Sequence, residues 1–261
     1  MGKGGSMRIA VINPFAGGEA DAGDNFDQIK DPDTEYDIFN IADAYPLRNN
    51  QWLYFKHACT GPTLDKVEWA AGEGYDAVFI CCQLDIGLYE ARTLVDIPVT
   101  GTLESAALLS YTLGKHFTIL SVDYQNGEIQ RSLLRLYGLD TNLKSIIPIH
   151  IDANDLYPGG SSHETIIGRV MEATGKARDQ GSEMVIPGCT LFGSILTHQR
   201  RQVGAELPLP VVDGMSAGFK LAEMRARLNR AGVLPAVSRV GYFTRPPADQ
   251  LRILRDFDKR R

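Results

Sequence analysis

Short apolar runs alternate along this chain with longer segments whose apolar residues recur every three or four positions. Runs of the first kind mark strands buried on both faces of a sheet, and segments of the second kind mark the helices that cover them. Arg8-Ile-Ala-Val-Ile-Asn13, 36–41, 77–82 and 96–101 read as strands. Leu64, Val67, Trp69, Ala70 and Ala71 predict a helix over 63–74, and a second spans 104–113 before Gly114. The alternation then restarts, with strands at 117–122, 143–151, 184–189 and 209–213 and helices at 125–137, 163–180, 192–204 and 217–231. Residues 19–34 read as a polar, solvated loop, and 45–54 as an irregular aromatic segment that either lines a pocket or packs. With no block of strands alone or helices alone, the chain is expected to be α/β, with parallel sheets and right-handed crossovers.

One stretch recurs. Ala77-Val-Phe-Ile-Cys-Cys-Gln-Leu-Asp-Ile-Gly87 and Met184-Val-Ile-Pro-Gly-Cys-Thr-Leu-Phe-Gly193 each run from a buried strand through cysteine into a helical pattern. The recurrence divides the chain into two similar α/β halves, 106–214 and a discontinuous half formed by 7–105 and 215–261. In open α/β sheets ligands bind beyond the carboxyl ends of the strands. Cysteines at two such edges therefore face a common cleft in this reading.

Composition narrows the classes. A chain of 261 residues with 44% hydrophobic and 23% charged residues is expected to bury a full core. The formal charge of -5, with Arg and Lys clustered only at 252–261, leaves no basic field for a phosphate backbone, so no nucleic-acid partner is expected. No apolar run approaches the roughly 20 residues of a membrane span, and no charged-then-apolar leader opens the chain. A cytoplasmic protein with no membrane partner is the expectation, and self-association is left open. Met1-Gly-Lys-Gly-Gly-Ser6 reads as an appendage ahead of a start at Met7. Cys59, Cys81, Cys82 and Cys189 are too few for a disulfide scaffold and lack the paired spacing of a structural zinc site, so reduced thiols are expected.

The candidate chemistry follows from the strand edges. A thiol is suited to acid and base work near neutral pH, and N–H groups at the start of a helix favour its thiolate. After Cys82 these donors would come from Gln83 and Leu84, and after Cys189 from Thr190 and Leu191; the same donors would stabilise an enolate oxygen. Alternate strand residues face opposite ways, so Cys81 is assigned to packing, as is Cys59. Asn13, before Pro14, either bonds a substrate through its amide or caps its own loop, and Ser121 is open to the same two readings. Asp85 either orients a substrate nitrogen or caps the helix that it opens. His150, His163 and His198 have no metal-site or triad spacing. Nor are there GxGxxG or GxxxxGK[ST] turns or an evident pyridoxal lysine, so neither metal nor cofactor is expected.

Cys82-Gln-Leu-Asp-Ile-Gly-Leu88 resembles the Cys-x-x-Asp-x-Gly-Leu stretch of hydantoin and allantoin racemases. Gly188-Cys-Thr is similar to the second cysteine motif of the wider aspartate/glutamate/hydantoin racemase superfamily. Asn13-Pro14 and Pro98-Val-Thr-Gly-Thr-Leu-Glu-Ser-Ala106 resemble two further segments, and the matching pieces run from residue 8 to Asp213-Gly214. The resemblance implies two pseudosymmetric Rossmann-like domains with the active site in the cleft between them. It also implies a cofactor-independent isomerase, in which Cys82 and Cys189 transfer a proton at a carbon α to a carbonyl in a hydantoin-like or amino-acid-like small molecule. Phe15, Gln83-Leu84 and Thr190-Leu191-Phe192 depart from the hydantoin pattern, so they are expected to shape a different pocket around Asn13 and Ser121. The alternatives are maleate-isomerase-like chemistry, a decarboxylase or other lyase, and a non-catalytic small-molecule-binding protein. Arylmalonate decarboxylases generally keep only the later cysteine, and the two here argue against that branch.

Overall fold

The computed structural model describes residues 5–15, 25–41, 52–151, 155, 163–203 and 206–258. Seven strands and eight helices lie among them. In chain order they begin with β1 (Met7–Asn13), β2 (Thr34–Asn40), α1 (Leu53–Gly72), β3 (Ala77–Ile80), α2 (Leu88–Leu94), β4 (Val99–Gly101) and α3 (Thr102–Ser110), whose Leu103, Ala106 and Ala107 pack with Phe117, Ile119 and Ile186. There follow β5 (Phe117–Ser121), α4 (Tyr124–Tyr137), β6 (Leu143–Pro148), α5 (His163–Asp179), β7 (Met184–Pro187), α6 (Thr190–Val203), α7 (Gly214–Arg230) and α8 (Ala248–Asp258).

The strands form two parallel sheets, ordered β2-β1-β3-β4 and β6-β5-β7. The expected last strand, 209–213, is reduced to a bridge between Val185 and Val211. Pro208 precedes that segment and Pro210 lies within it, and neither has an N–H to donate to a ladder. With the bridge counted, both halves share one plan: the first strand is central, the second lies on one side, and the third and fourth lie on the other. The α/β class and the pseudosymmetric, Rossmann-like pairing of parallel sheets are thus present. Helix α7 packs on the first sheet, where Met215, Phe219, Ala222 and Ala226 join Met7, Ile9, Val11 and Phe79 in one cluster. Each fully buried large apolar side chain of this kind contributes roughly 1.5–3 kcal/mol.

Several local expectations are corrected. The helix expected over 63–74 begins ten residues earlier, since α1 runs from Leu53 through Pro62 to Gly72. Pro62 leaves a carbonyl of the preceding turn without its usual donor, and nearby the Thr60 and Thr63 hydroxyls bond to Lys56 O and Cys59 O. The 19–34 stretch is not solvated throughout: Phe26 is buried and stacks on Phe219, with ring centroids 4.6 Å apart, and Asn25 is buried beside it. Asp31 and Asp33 pair with Lys220 and Arg227 of α7. Residues 16–24 and 42–51, including most of the aromatic 45–54 segment, lie outside the described residues. Beyond α7 the chain runs back along the first half, where Arg239 and Arg245 hold Asp96. Among the described residues no helix is long and apolar enough to cross a membrane.

Candidate active site

The third strand of each half ends just before a cysteine. β3 stops at Ile80 because the chain turns: Cys82 N–H donates to Ile80 O at 3.0 Å, and Asp85 N–H to Cys82 O at 2.9 Å. Cys81 and Cys82 part company as strand alternation requires. Cys81 joins the cluster beneath α7, and Cys82 joins a separate one with Cys59, Leu84 and Ile86. In the second half β7 stops at Pro187, and Gly188 makes the turn, its N–H donating to Leu120 O at 2.7 Å. A Cβ on Gly188 would come within 2.7 Å of Leu120 O and Ser121 Cα, so only glycine fits there. Cys189 then stands at the entrance to α6.

The two sheet edges face one another. Ile129 of α4 packs on the Cys82 cluster from the opposite half, and the Asn25 amide donates to Ser194 Oγ of α6 at 3.0 Å. The thiols lie near enough that Cys189 makes ionisation of Cys82 harder. Burial is the main cause of the upward push on Cys82, to about 12. Cys189 and Asp85 add to it, while the Leu84 N–H and Lys56 oppose it. The Leu84 N–H lies 3.5 Å from the Cys82 sulfur. Burial also raises Cys189, but there two N–H groups, of Phe192 and Leu191, point at the sulfur and favour its thiolate. Of the expected donors Leu84 and Leu191 act, Gln83 and Thr190 do not, and in the second turn Phe192 takes the place of Thr190.

Other residues of interest take varied positions. Asn13 ends β1 and is nearly buried, its Nδ2 donating to Asn40 Oδ1 at 2.8 Å across the sheet edge. Phe15 packs against the Cys82 cluster. Gln83 is buried and its Nε2 has no partner, as is true of the Ser121 hydroxyl at the end of β5. The Leu84 side chain is core, so only its backbone faces Cys82. Thr190 and Leu191 open α6 half-buried, Leu191 against the second-half core. Cys59 is not isolated, since it packs in the Cys82 cluster. Asp85 does cap a helix, but not the one that it precedes. Gly87 holds the N-cap position of α2, and the Asp85 carboxylate accepts from Leu103 and Glu104 of α3. His150 has a left-handed backbone, and its carbonyl accepts from Arg169; the side chains of His163 and His198 lie outside the described set.

Gln130 was not legible as a site residue. It is fully buried on α4, where its Nε2 donates to Gly188 O at 2.6 Å while its Oε1 has no partner. The available signal was Asn126, Gln130 and Leu134 at four-residue spacing, a polar stripe continuing an apolar face.

A family model described as Asp/Glu/Hydantoin racemase matches residues 26–222, three quarters of the chain. The chain belongs to this family. A hydantoin racemase of Pseudomonas sp. (strain NS671) is 23% identical over 217 residues, covering 83% of this chain and 85% of that protein. A hydantoin racemase of Rhizobium meliloti is 26% identical over 160 residues, 61% of this chain and 64% of that protein, just under two thirds of its length. The solved allantoin racemase from Klebsiella pneumoniae superposes with a TM-score of 0.78 at 25% identity, covering 92% of this chain and 94% of that one. Fold and sequence thus place this family member beside the hydantoin and allantoin racemases.

Proposed function

We propose that this member of the family is a cofactor-independent racemase. On this reading it inverts a carbon α to a carbonyl by passing a proton between Cys82 and Cys189. The observation that carries the reading is the approach of two thiols from equivalent turns of opposite halves, with one backbone N–H aimed at the Cys82 sulfur and two at that of Cys189. One base on each face of a planar carbanion is the requirement for inversion without a cofactor. Cys189, with two donors and partial exposure, is the easier thiol to ionise and serves as the resting base. Cys82, pushed up to about 12, serves as the resting acid. Their raised values make each thiolate a strong base for a weakly acidic C–H.

The polar side chains assigned to the pocket, Asn13, Gln83, Ser121 and Thr190, are neutral amides and hydroxyls, and Lys56 is a cation that bears on Cys82. Buried, unpartnered amide and hydroxyl groups at Gln83 and Ser121 suit the alternating N–H and C=O of a ring such as hydantoin. A free amino acid would bring a carboxylate and an ammonium to a set of neutral side chains. Phe15, packed on the Cys82 cluster, adds apolar surface beside that turn, which favours an uncharged substrate.

The test is to incubate single enantiomers of 5-substituted hydantoins in deuterated water with the enzyme dialysed against chelator. Loss of optical rotation with entry of one deuteron at the α-carbon is expected. Turnover without α-exchange, or conversion only of maleate or an arylmalonate, would overturn the racemase reading.

A further inference from the structure

We propose that Asp85 is the positioning residue for Cys82, fastening its turn both to the start of α3 and to α4 of the opposite half. The inference rests on the two-cysteine reading above. It begins with the backbone. Asp85 has φ +42°, and its N–H donates to the Cys82 carbonyl at 2.9 Å, closing the turn that follows β3. Left-handed geometry at a non-glycine residue is costly and persists where surrounding contacts overdetermine it.

Those contacts come from a distance in sequence. The two carboxylate oxygens accept from Leu103 N and Glu104 N, each at 2.9 Å. Helix α3 has no cap of its own: its N-cap residue is Gly101, which has no side chain to offer. A Cβ at Gly101 would lie 2.5 Å from Asp85 Oδ1, so the glycine leaves room for a carboxylate supplied by another turn. The Tyr137 hydroxyl, at the end of α4, lies close enough to Asp85 to favour its carboxylate, and the Tyr137 ring packs on Tyr89 with centroids 5.1 Å apart. Asp85 is 2% exposed and both oxygens are engaged, so it acts through Cys82 and not on substrate.

The electrostatic setting makes the arrangement expensive for a mere cap. Burial is the main cause of the rise of Asp85 to about 7; the Glu104 and Leu103 N–H groups and Tyr137 oppose it, and the Glu104 carboxylate adds to it. Glu104 is held by Arg92 at 2.8 Å, and Tyr89, Arg92 and Cys82 also face this carboxylate. A serine at position 101 would cap α3 at far lower desolvation cost. What the remote carboxylate adds is a fixed path from α3 and α4 to the residue bearing the thiol.

The experiment compares Asp85→Asn, Asp85→Ala, Tyr137→Phe and Cys82→Ser by α-proton exchange in deuterated water, starting from each hydantoin enantiomer separately. Displacing a reacting group by about 1 Å costs on the order of 10²-fold. Asp85→Ala is expected to lose that much racemisation with KM little changed. Exchange should survive from the enantiomer served by Cys189 and vanish from the one served by Cys82, the pattern of Cys82→Ser. Asp85→Asn tolerates the left-handed backbone and keeps one acceptor, so partial rescue is expected, and Tyr137→Phe should show a weaker form of the same asymmetry. If Asp85→Ala does not fold, the asymmetry in Asp85→Asn decides. Equal loss from both enantiomers, or full activity, in the folded Asp85 variants overturns the proposal. Should Cys82→Ser itself retain racemisation, the two-cysteine reading fails instead, and the two failures are distinguishable.

Discussion

The side-chain amide of Gln130 donates to the carbonyl of Gly188 at 2.6 Å, tying α4 to the residue immediately before Cys189. Removing the donor leaves a buried carbonyl unpaired, which costs about 1–3 kcal/mol. Gln130→Leu is expected to lower stability by that order in urea unfolding and to slow turnover by loosening the Cys189 turn. Gln130→Glu should show a pH signature. A protonated Glu can donate to Gly188 O and a carboxylate cannot, so its pKa in the fold is raised. The stability that it contributes is therefore present at low pH and lost as pH rises. Relative to the parent, this variant should be weaker at pH 8 than at pH 5.

Activity should rise with alkalinity. Both thiols are pushed above their ordinary value by burial, so at neutral pH few molecules hold the thiolate that starts the reaction. The free-enzyme profile, kcat/KM against pH, should increase between pH 7 and 9, approaching tenfold per pH unit where one thiol must ionise. A flat profile over that range would show that the resting base is not a cysteine with a raised value.

Asp85 gives a second linkage. Its value in the fold, about 7, exceeds the ordinary aspartate value, with burial the main cause. Between about 4 and 7 the native state thus binds more protons at this site than the unfolded chain does, and stability from this group falls as pH rises through that window. Asn does not titrate. The stability advantage of the parent over Asp85→Asn should therefore shrink between pH 4 and pH 7, as measured by urea midpoints at fixed ionic strength.

Much of this architecture was legible because local signals agreed with the global plan. β-branched runs such as 8–13 and 117–122 are strands, and the stretch 77–87 returns at 184–193 because both halves repeat one topology. Misses arose where tertiary contacts override local pattern. Phe26 looked like part of a polar loop but fills space beside Phe219 from α7, almost two hundred residues away. Leu209 to Asp213 is apolar enough for a strand, yet its prolines permit only a single bridge. Asp85 reads locally as a cap for α2, whereas its acceptors meet N–H groups at 103 and 104, brought close by β4. Gln130 sits on a helix whose sequence looks amphipathic, and only the fold shows that its polar stripe faces inward.

The most direct measurement of the central claim is α-proton exchange by Cys82→Ser and Cys189→Ser, each followed from either pure hydantoin enantiomer in deuterated water. Serine is nearly isosteric but too weak an acid to serve as the base. The account predicts that each variant folds and binds substrate, and that racemisation falls by at least about 10²–10⁴-fold in each. Each should exchange only the enantiomer facing its surviving thiol, with opposite preference in the two variants, and Cys81→Ser should remain active. Racemisation that survives in either variant, or the same enantiomer preference in both, would contradict it.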